Sequence, residues 1–202
     1  WIHHTSINFP SKNLGLRDSL LEQSAMTGND IDLSQDTLVL GQQQVASGTL
    51  RVRDSEIRES THIKGSTCDL RGMTFRANHA PIACGDAYIE SSIFEDNVVT
   101  GATSAALVLL RWDNRPCSGP GDPPRATIVD TQFSGNILSN PSDGGLSAAS
   151  RRSAGAIATG TSNSCSQSPL IEIRNSDFVD NRCSSTGTHC KAGAVSLAAL
   201  VA

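Results

Sequence analysis

Four Phe-x-x-Asn tetrapeptides share one arrangement of apolar and polar positions, and they lie at Phe75, Phe94, Phe133 and Phe178. An aliphatic residue stands five positions before each Phe, and a small or slender residue stands two positions before it. Apolar residues two apart, as in Leu50-x-Val52 or Ile171-x-Ile173, predict strands, because successive side chains of a strand point to opposite faces. A helical stripe is not sustained.

The same arrangement continues towards the N-terminus with aliphatic residues in place of the Phe. Counted from that position, the units fall at residues 21, 38, 57, 75, 94, 133 and 178. The first five are 17 to 19 residues apart, which is too short for a repeat of two helices, since those need more than about 30 residues. The pattern predicts an all-β fold, a right-handed parallel β-helix (a solenoid) whose units stack about 4.8 Å apart.

Equivalent residues of successive units would lie directly on one another in such a stack. We therefore expect the four Phe side chains to form a stack in the core. We expect the asparagines of the same tetrapeptides to form a ladder of buried amides that bonds the backbone of the turn. That ladder consists of Asn78, Asn97, Asn136 and Asn181.

The last two intervals lengthen to 39 and 45 residues, which predicts long loop insertions in the C-terminal half. Segments rich in Gly, Pro, Ser or Asn place these loops near 111–125, 139–153 and 159–168. Trp112, in the first loop, is a candidate contact for a sugar or a protein, and its alternative role is to cap the unit below. We expect one β-helix segment over residues 1–202, cut from a larger protein.

Six cysteines without zinc spacing favour disulfides and an oxidising compartment, the alternative being buried free thiols. The cysteines of the first predicted pair lie in loops that follow corresponding strands of adjacent units. The second pair would close a small loop, and the third would join neighbouring units. Fifteen pairings are formally possible. The predicted pairs, in that order, are Cys117–Cys165, Cys183–Cys190 and Cys68–Cys84.

The net charge of −4 with scattered basic residues excludes a phosphate-tracking surface, so we expect no nucleic-acid partner. No apolar run approaches the roughly 20 residues of a membrane-spanning helix. These features, together with the predicted disulfides, favour an extracellular or cell-surface protein.

The Phe-x-x-Asn units are followed by Ala-Gly-Ala-Ile at 154–157 and Ala-Gly-Ala-Val at 192–195. This combination resembles the paired repeats of chlamydial polymorphic outer-membrane proteins and, more broadly, the pectin-lyase-like superfamily of right-handed β-helices. The resemblance covers the chain from about Leu50 onward. It implies a surface-exposed solenoid used for adhesion or as a stalk. The chain departs from the family pattern at Ala154 and Ala192, where Gly is usual.

Because β-helices also host polysaccharide lyases and glycoside hydrolases, the site must decide between the two classes. Glycoside hydrolysis usually needs two carboxylates within about 5 to 10 Å. Asp18 and Asp54 share a position in the repeat but lie two units apart, and no adjacent units offer such a pair. We expect no catalytic residue, no cofactor and no metal. The predicted function is an extracellular structural or adhesive solenoid that displays loops to other protein chains or glycans, for example within a surface assembly or filament. The alternative is a polysaccharide lyase or glycoside hydrolase whose site is completed outside this segment.

Overall fold

The computed structural model of the chain describes residues 1–3, 6–41, 44–60, 63–100, 104–110, 125–139, 154–160, 170–184 and 192–196. Within these ranges every regular element is a strand. The strands are β1 (Ile2–His3), β2 (Ser6–Arg17), β3 (Leu20–Glu22), β4 (Ala25–Ser34), β5 (Leu38–Leu40), β6 (Gln44–Arg53), β7 (Glu56–Arg58), β8 (Ile63–Arg71), β9 (Thr74–Arg76), β10 (Ile82–Glu90), β11 (Ile93–Glu95), β12 (Val98–Thr100), β13 (Leu107–Leu110), β14 (Arg125–Val129), β15 (Gln132–Ser134), β16 (Ile137–Ser139), β17 (Ile157–Gly160), β18 (Leu170–Arg174), β19 (Asp177–Val179), β20 (Arg182–Ser184) and β21 (Val195–Ser196).

The strands form three sheets, and every pairing within the described ranges is parallel. The first sheet has the order β2-β4-β6-β8-β10-β13-β17-β21, and β14 and β18 continue it beside β10. The second sheet has the order β1-β3-β5-β7-β9-β11-β15-β19, and the third is β12-β16-β20. The chain therefore adds to the first and second sheets in turn. We call one strand of the first sheet, together with the strand of the second sheet that follows it, a unit.

The register of the second sheet corrects one position of the predicted repeat. Val39, not Leu38, pairs with Leu21 and Ile57 and is fully buried. The turn before this strand is one residue longer than its neighbours, and both Gln35 and Asp36 adopt positive φ. The extra residue shifts the anchor by one, which a spacing count on the sequence does not detect.

Each unit turns twice on residues with positive φ, a conformation that Gly, Asn and Asp tolerate best. The first turn lies between the first and second sheets, and the second turn follows the second sheet. The residues of the first turn are Asp18, Gln35, Asp36, Asp54, Gly72, Ser91, Asp130 and Asn175. Those of the second turn are Gln23, Gly41, Glu59, Ala77, Asp96, Gly135 and Asp180. These turns explain the small polar residues that punctuate the repeat.

The core lies between the sheets and runs continuously from Leu21 to Ile157. Its inward positions form columns, since strand residues of one face keep the same neighbours from unit to unit. One column, for example, passes through Ile31, Leu50, Cys68, Ala87 and Ala126. A smaller cluster, formed by Val99, Ala105 and Leu138, lies behind the third sheet.

The residue pairing of the long strands in the first sheet is interrupted near their middle, and the sequence insertions fall at this interruption. Positions 66 and 85 form no residue pair, and β10 pairs with β13 before them and with β14 after them. Leu110 and Arg125 are therefore the described residues that flank the first insertion. Gly160 and Leu170 flank the second insertion in the next unit, between β17 and β18.

The predicted loops at 111–125, 139–153 and 159–168 are each too long at one end. Arg125, Ser139, Thr159 and Gly160 belong to strands, where they pair in parallel with Leu170, Ser184, Leu109 and Leu110. Backbone hydrogen bonding to the neighbouring unit holds these terminal residues in the sheet. The remainder of the three loops lies outside the described residues.

Gly155 of the Gly-Ala-Ile element lies where two backbones meet. A Cβ there would overlap the carbonyl oxygen of Gly193 and stand 2.6 Å from the amide nitrogen of Arg182. We expect Gly155→Ala to lower the free energy of unfolding by about 1 to 3 kcal/mol, because rigid backbone cannot yield to the added methyl group. Urea denaturation of the two proteins measures the difference.

Gly15→Ala provides the control for this substitution, because a Cβ at Gly15 meets no atom within 4 Å. It should change the free energy of unfolding by less than about 0.5 kcal/mol. Equal effects of the two substitutions would contradict the close approach at Gly155.

Candidate functional site

The four phenylalanines of the repeat lie in register on β9, β11, β15 and β19. Phe75, Phe94 and Phe133 are fully buried, and Phe178 packs against the core. The ring centroids of Phe94 and Phe133 are 4.7 Å apart, and those of Phe133 and Phe178 are 4.9 Å apart, both in stacked geometry. Phe75 is tilted against Phe94 at 5.7 Å. The column is a structural core element and offers no surface to a ligand.

The four asparagines form a one-directional ladder at the second turn. The side-chain amide nitrogens of the first three asparagines donate to the Oδ1 of the next one, over 3.0 Å from Asn78, 2.7 Å from Asn97 and 2.7 Å from Asn136. All four amide nitrogens also donate to a backbone carbonyl of the preceding unit, over 2.8 to 3.1 Å. These carbonyls belong to the central residues of the second-sheet strands, so the ladder ties each second turn to the strand of the preceding unit.

Cys68 and Cys84 form a disulfide between β8 and β10, with Cα atoms 5.9 Å apart, so this predicted pair is confirmed. Both side chains are buried. Gly65, the register partner of Cys84, leaves the space that the bond crosses. A Cβ at Gly65 would stand 3.2 Å from the sulfur of Cys68.

The other predicted contacts fall on residues outside the described ranges. Cys183 is disulfide-bonded, and its partner is one of the cysteines in those other parts of the chain. The pair Cys117–Cys165, the partner Cys190 and the exposed-aromatic candidate Trp112 lie there as well. The pairings Cys117–Cys165 and Cys183–Cys190 therefore stay predictions.

The outer face of the first sheet carries a charged cluster that the repeat pattern did not single out. Asp69 accepts hydrogen bonds from Arg53 at 3.0 Å and from Arg71 at 2.6 Å. The guanidinium of Arg71 also lies 4.6 Å from the ring centroid of Tyr88 and 3.7 Å from a carboxylate oxygen of Glu90. Residues of two strands, β8 and β10, thus hold Arg71 in one orientation, and an oriented arginine beside a tyrosine is typical of contact surfaces.

A sequence signal for this cluster exists. The charged residues alternate with buried Val52, Leu70 and Ile89 on aligned strands. Outward positions of neighbouring strands can therefore be assigned once the register is known. The register of the long strands, and not their composition, identifies the cluster.

Partial burial alone would raise the pKa of Asp69, but the hydrogen bonds from Arg71 and Arg53 outweigh burial and hold the pKa below its ordinary value. A carboxylate with a lowered folded pKa stabilises the fold above its unfolded pKa, about 3.9 for Asp, and loses that contribution as the pH falls through the folded value. Both arginines are nearly half exposed, at 45% and 47%, so the contribution is below about 1 kcal/mol.

We expect Asp69→Asn to lower the free energy of unfolding slightly at neutral pH and to have no effect in acid below the folded pKa. Denaturant unfolding of both proteins across this pH range measures the difference. Asp177→Asn, at an exposed strand position, provides a control without this pH dependence. A constant difference at all pH values would contradict the role of the Asp69 charge.

The first turn carries a shallow acidic cavity that the repeat pattern did not single out. Asp36 and Asp54 occupy this turn in adjacent units, where the amide of Asp36 donates to the carbonyl of Asp54 at 2.7 Å. With Glu56 they line a cavity of about 380 Å³, which also includes Thr37, Leu38, Ser55, Gly72 and Thr74. Adjacent units therefore contribute acidic residues to one cavity, because the longer turn at Gln35–Asp36 adds Asp36 next to Asp54. Glu56 itself is paired with Arg76 at 2.7 Å.

Within the described residues no group of three or more His, Cys, Asp or Glu side chains is arranged to hold a metal ion. No helix in that part of the chain has the length and apolar character to cross a membrane. Comparison with protein-family models, with curated proteins and with solved structures found no match.

Proposed function

We propose that the chain is a stretch of right-handed parallel β-helix that serves as a rigid extracellular scaffold and displays loops to other protein chains or glycans. The observation that carries the proposal is the register: unit after unit adds a parallel strand to the first sheet and another to the second. Parallel connections of this kind are right-handed in nearly all proteins. Stacked units with buried columns form a stiff, quasi-linear body.

Display of loops is supported by the points at which the insertions enter the first sheet. Leu110 pairs with Gly160 before the two insertions, and Arg125 pairs with Leu170 after them. Residues 111–124 and 161–169 therefore start and end on neighbouring strands, about 4.8 Å apart. Two loops with adjacent bases can form one contact surface.

An extracellular location is part of the proposal. The Cys68–Cys84 disulfide supports it, because disulfides persist mainly in oxidising compartments. The partners proposed are other chains of a surface assembly or glycans.

The preceding unit indicates how both loops can be removed without breaking the sheet. In β10, Gly85 and Asp86 alone connect the residues that correspond to Leu109 and Ala126. Deleting 111–124 joins Leu110 to Arg125 and reproduces this short connection, and deleting 161–169 joins Gly160 to Leu170. Both deletions are made together so that Cys117 and Cys165 are removed as a pair.

The doubly deleted chain should keep its far-ultraviolet circular dichroism and its cooperative unfolding. Latex beads coated with the unaltered chain should adhere to cultured epithelial cells or to spots of a glycan array, and beads coated with the deleted chain should not. Adhesion that survives the deletion, or an unaltered chain that adheres to neither, would overturn the proposal.

The alternative function, a polysaccharide lyase or glycoside hydrolase, is favoured by one observation, the acidic cavity that Asp36 and Asp54 line together. It predicts release of reducing ends or of unsaturated products from polysaccharides such as polygalacturonate. Asp54→Asn should abolish that release, whereas Asp177→Asn should not. Polysaccharide turnover that depends on Asp54 and not on Asp177 would show that the chain is an enzyme and contradict the scaffold proposal.

A further inference from the structure

We propose that the chain consists of two blocks of different stability, which meet at one interface between units, here called the seam. The seam is the interface between the unit that contains β6 and β7 and the unit that contains β8 and β9. The N-terminal block comprises the described residues from 6 to 60, and the C-terminal block begins at Ile63. This inference does not depend on the proposed function.

Three kinds of contact between consecutive units begin on the C-terminal side of the seam. The ring stack starts at Phe75, the amide ladder starts at Asn78, and the disulfide joins Cys68 to Cys84 in the next unit. Each of them connects consecutive units in addition to the backbone pairing of the sheets. The first interface inside the C-terminal block therefore carries all three.

Fewer described side-chain contacts of these kinds join the units of the N-terminal block. The position of the phenylalanine is occupied there by Leu21, Val39 and Ile57. At the position of the asparagine, the hydroxyl of Ser60 donates to the carbonyl of Arg58 in its own unit. Across the seam the ladder makes two hydrogen bonds: the backbone amide of Ser60 donates to Oδ1 of Asn78 at 2.9 Å, and Nδ2 of Asn78 donates to the carbonyl of Ile57 at 3.1 Å.

Side chains on the surface bridge the seam by charge. Arg53 on one side bonds Asp69 on the other, and Arg76 bonds Glu56 in the opposite direction. The groups that face these carboxylates are Arg71, at Asp69, and Arg58, at 3.9 Å from Glu56. Salt screens exposed ion pairs, whereas it does not weaken ring stacking, a buried amide ladder or a disulfide. Local opening with the smallest free energy should therefore occur within the N-terminal block.

Native-state hydrogen exchange of the full chain, with its disulfides intact and read by mass spectrometry, tests the seam. Amides of β4 and β6 should be at least about tenfold less protected than those of β9, β11 and β15. Added salt should lower the protection of the N-terminal block more than that of the C-terminal block, which keeps its ring stack, amide ladder and disulfide. Equal protection on both sides, or lower protection in the C-terminal block, would overturn the inference.

Ser60→Asn tests the cause, because it extends the amide ladder across the seam. It should raise the protection of the N-terminal block about tenfold, the effect of one or two further buried hydrogen bonds. Thr27→Asn places the same residue at an exposed strand position of that block and should change nothing. If Ser60→Asn left the N-terminal block unchanged, or stabilised both blocks equally, the ladder would not be what distinguishes them.

Discussion

Replacing Phe94 with alanine is expected to lower the free energy of unfolding by about 3 to 5 kcal/mol, the usual loss for a large aromatic side chain removed from a core. The ring is fully buried and lies between Phe75 and Phe133, at centroid distances of 5.7 and 4.7 Å. Both neighbours belong to strands that are held in register, so they cannot move together to fill the cavity. Urea denaturation of the purified chain measures the loss.

Phe94→Leu is the matched control, because Ile57 and Val39 occupy the same position two and three units earlier. An aliphatic side chain is therefore compatible with the backbone of this strand, and the loss should be clearly smaller than for alanine. A loss below about 1 kcal/mol for Phe94→Ala would show that the stacked rings are not closely packed.

Replacing Asn97 with aspartate should be about as damaging, at about 3 to 5 kcal/mol near neutral pH, because it leaves an uncompensated charge in the core. The amide nitrogen that is lost donates to the carbonyl of Phe75 at 3.1 Å and to Oδ1 of Asn136 at 2.7 Å. A carboxylate oxygen in its place would face two acceptors without a proton, at a fully buried position.

The pH dependence identifies this mechanism. Burial beside two acceptors should raise the pKa of the introduced carboxyl above that of the unfolded chain. The destabilisation of Asn97→Asp should therefore be smallest in acid, where the protonated carboxyl can donate one hydrogen bond, and should grow as the pH rises through the unfolded pKa and up to the folded pKa. Unfolding free energies across this range measure it.

Two further substitutions separate charge from the loss of the amide. Asn97→Ala removes the ladder without adding charge, so its effect should not vary with pH in the same way. Asn181→Asp changes the last described asparagine of the ladder, which is partly exposed, and should cost less than Asn97→Asp. Equal losses at Asn97 and Asn181 would contradict a role for burial.

The parallel all-β arrangement could be predicted from the sequence because its pattern repeats. Side chains in equivalent positions of stacked strands contact residues of the same type, so Phe-x-x-Asn recurs wherever a ring stack and an amide ladder continue. The Cys68–Cys84 pair followed from the same periodicity, since the two cysteines belong to neighbouring units. Right-handed coiling stays a prediction within the proposed function.

Errors arose where the length of a turn varied. The additional residue at Gln35–Asp36 moved the second-sheet anchor from Leu38 to Val39 and placed Asp36 next to Asp54. The apolar periodicity of the sequence does not indicate how many residues with positive φ a turn contains. Counting from one anchor to the next therefore gave the approximate spacing and missed the two aspartates that line one cavity.

The sequence by itself determined which residues are buried and repeated, because hydrophobic side chains and buried amides are required at each inward or turn position of a parallel stack. Only the tertiary structure decided which outward residues meet, such as Arg53, Asp69, Arg71 and Tyr88. Solvent-facing positions accept many residue types, so their identities carry no period of their own. Their neighbours are set by the strand register, including the interruption of the first sheet at the insertions 111–124 and 161–169. That register depends on hydrogen bonds between units that lie far apart in the sequence.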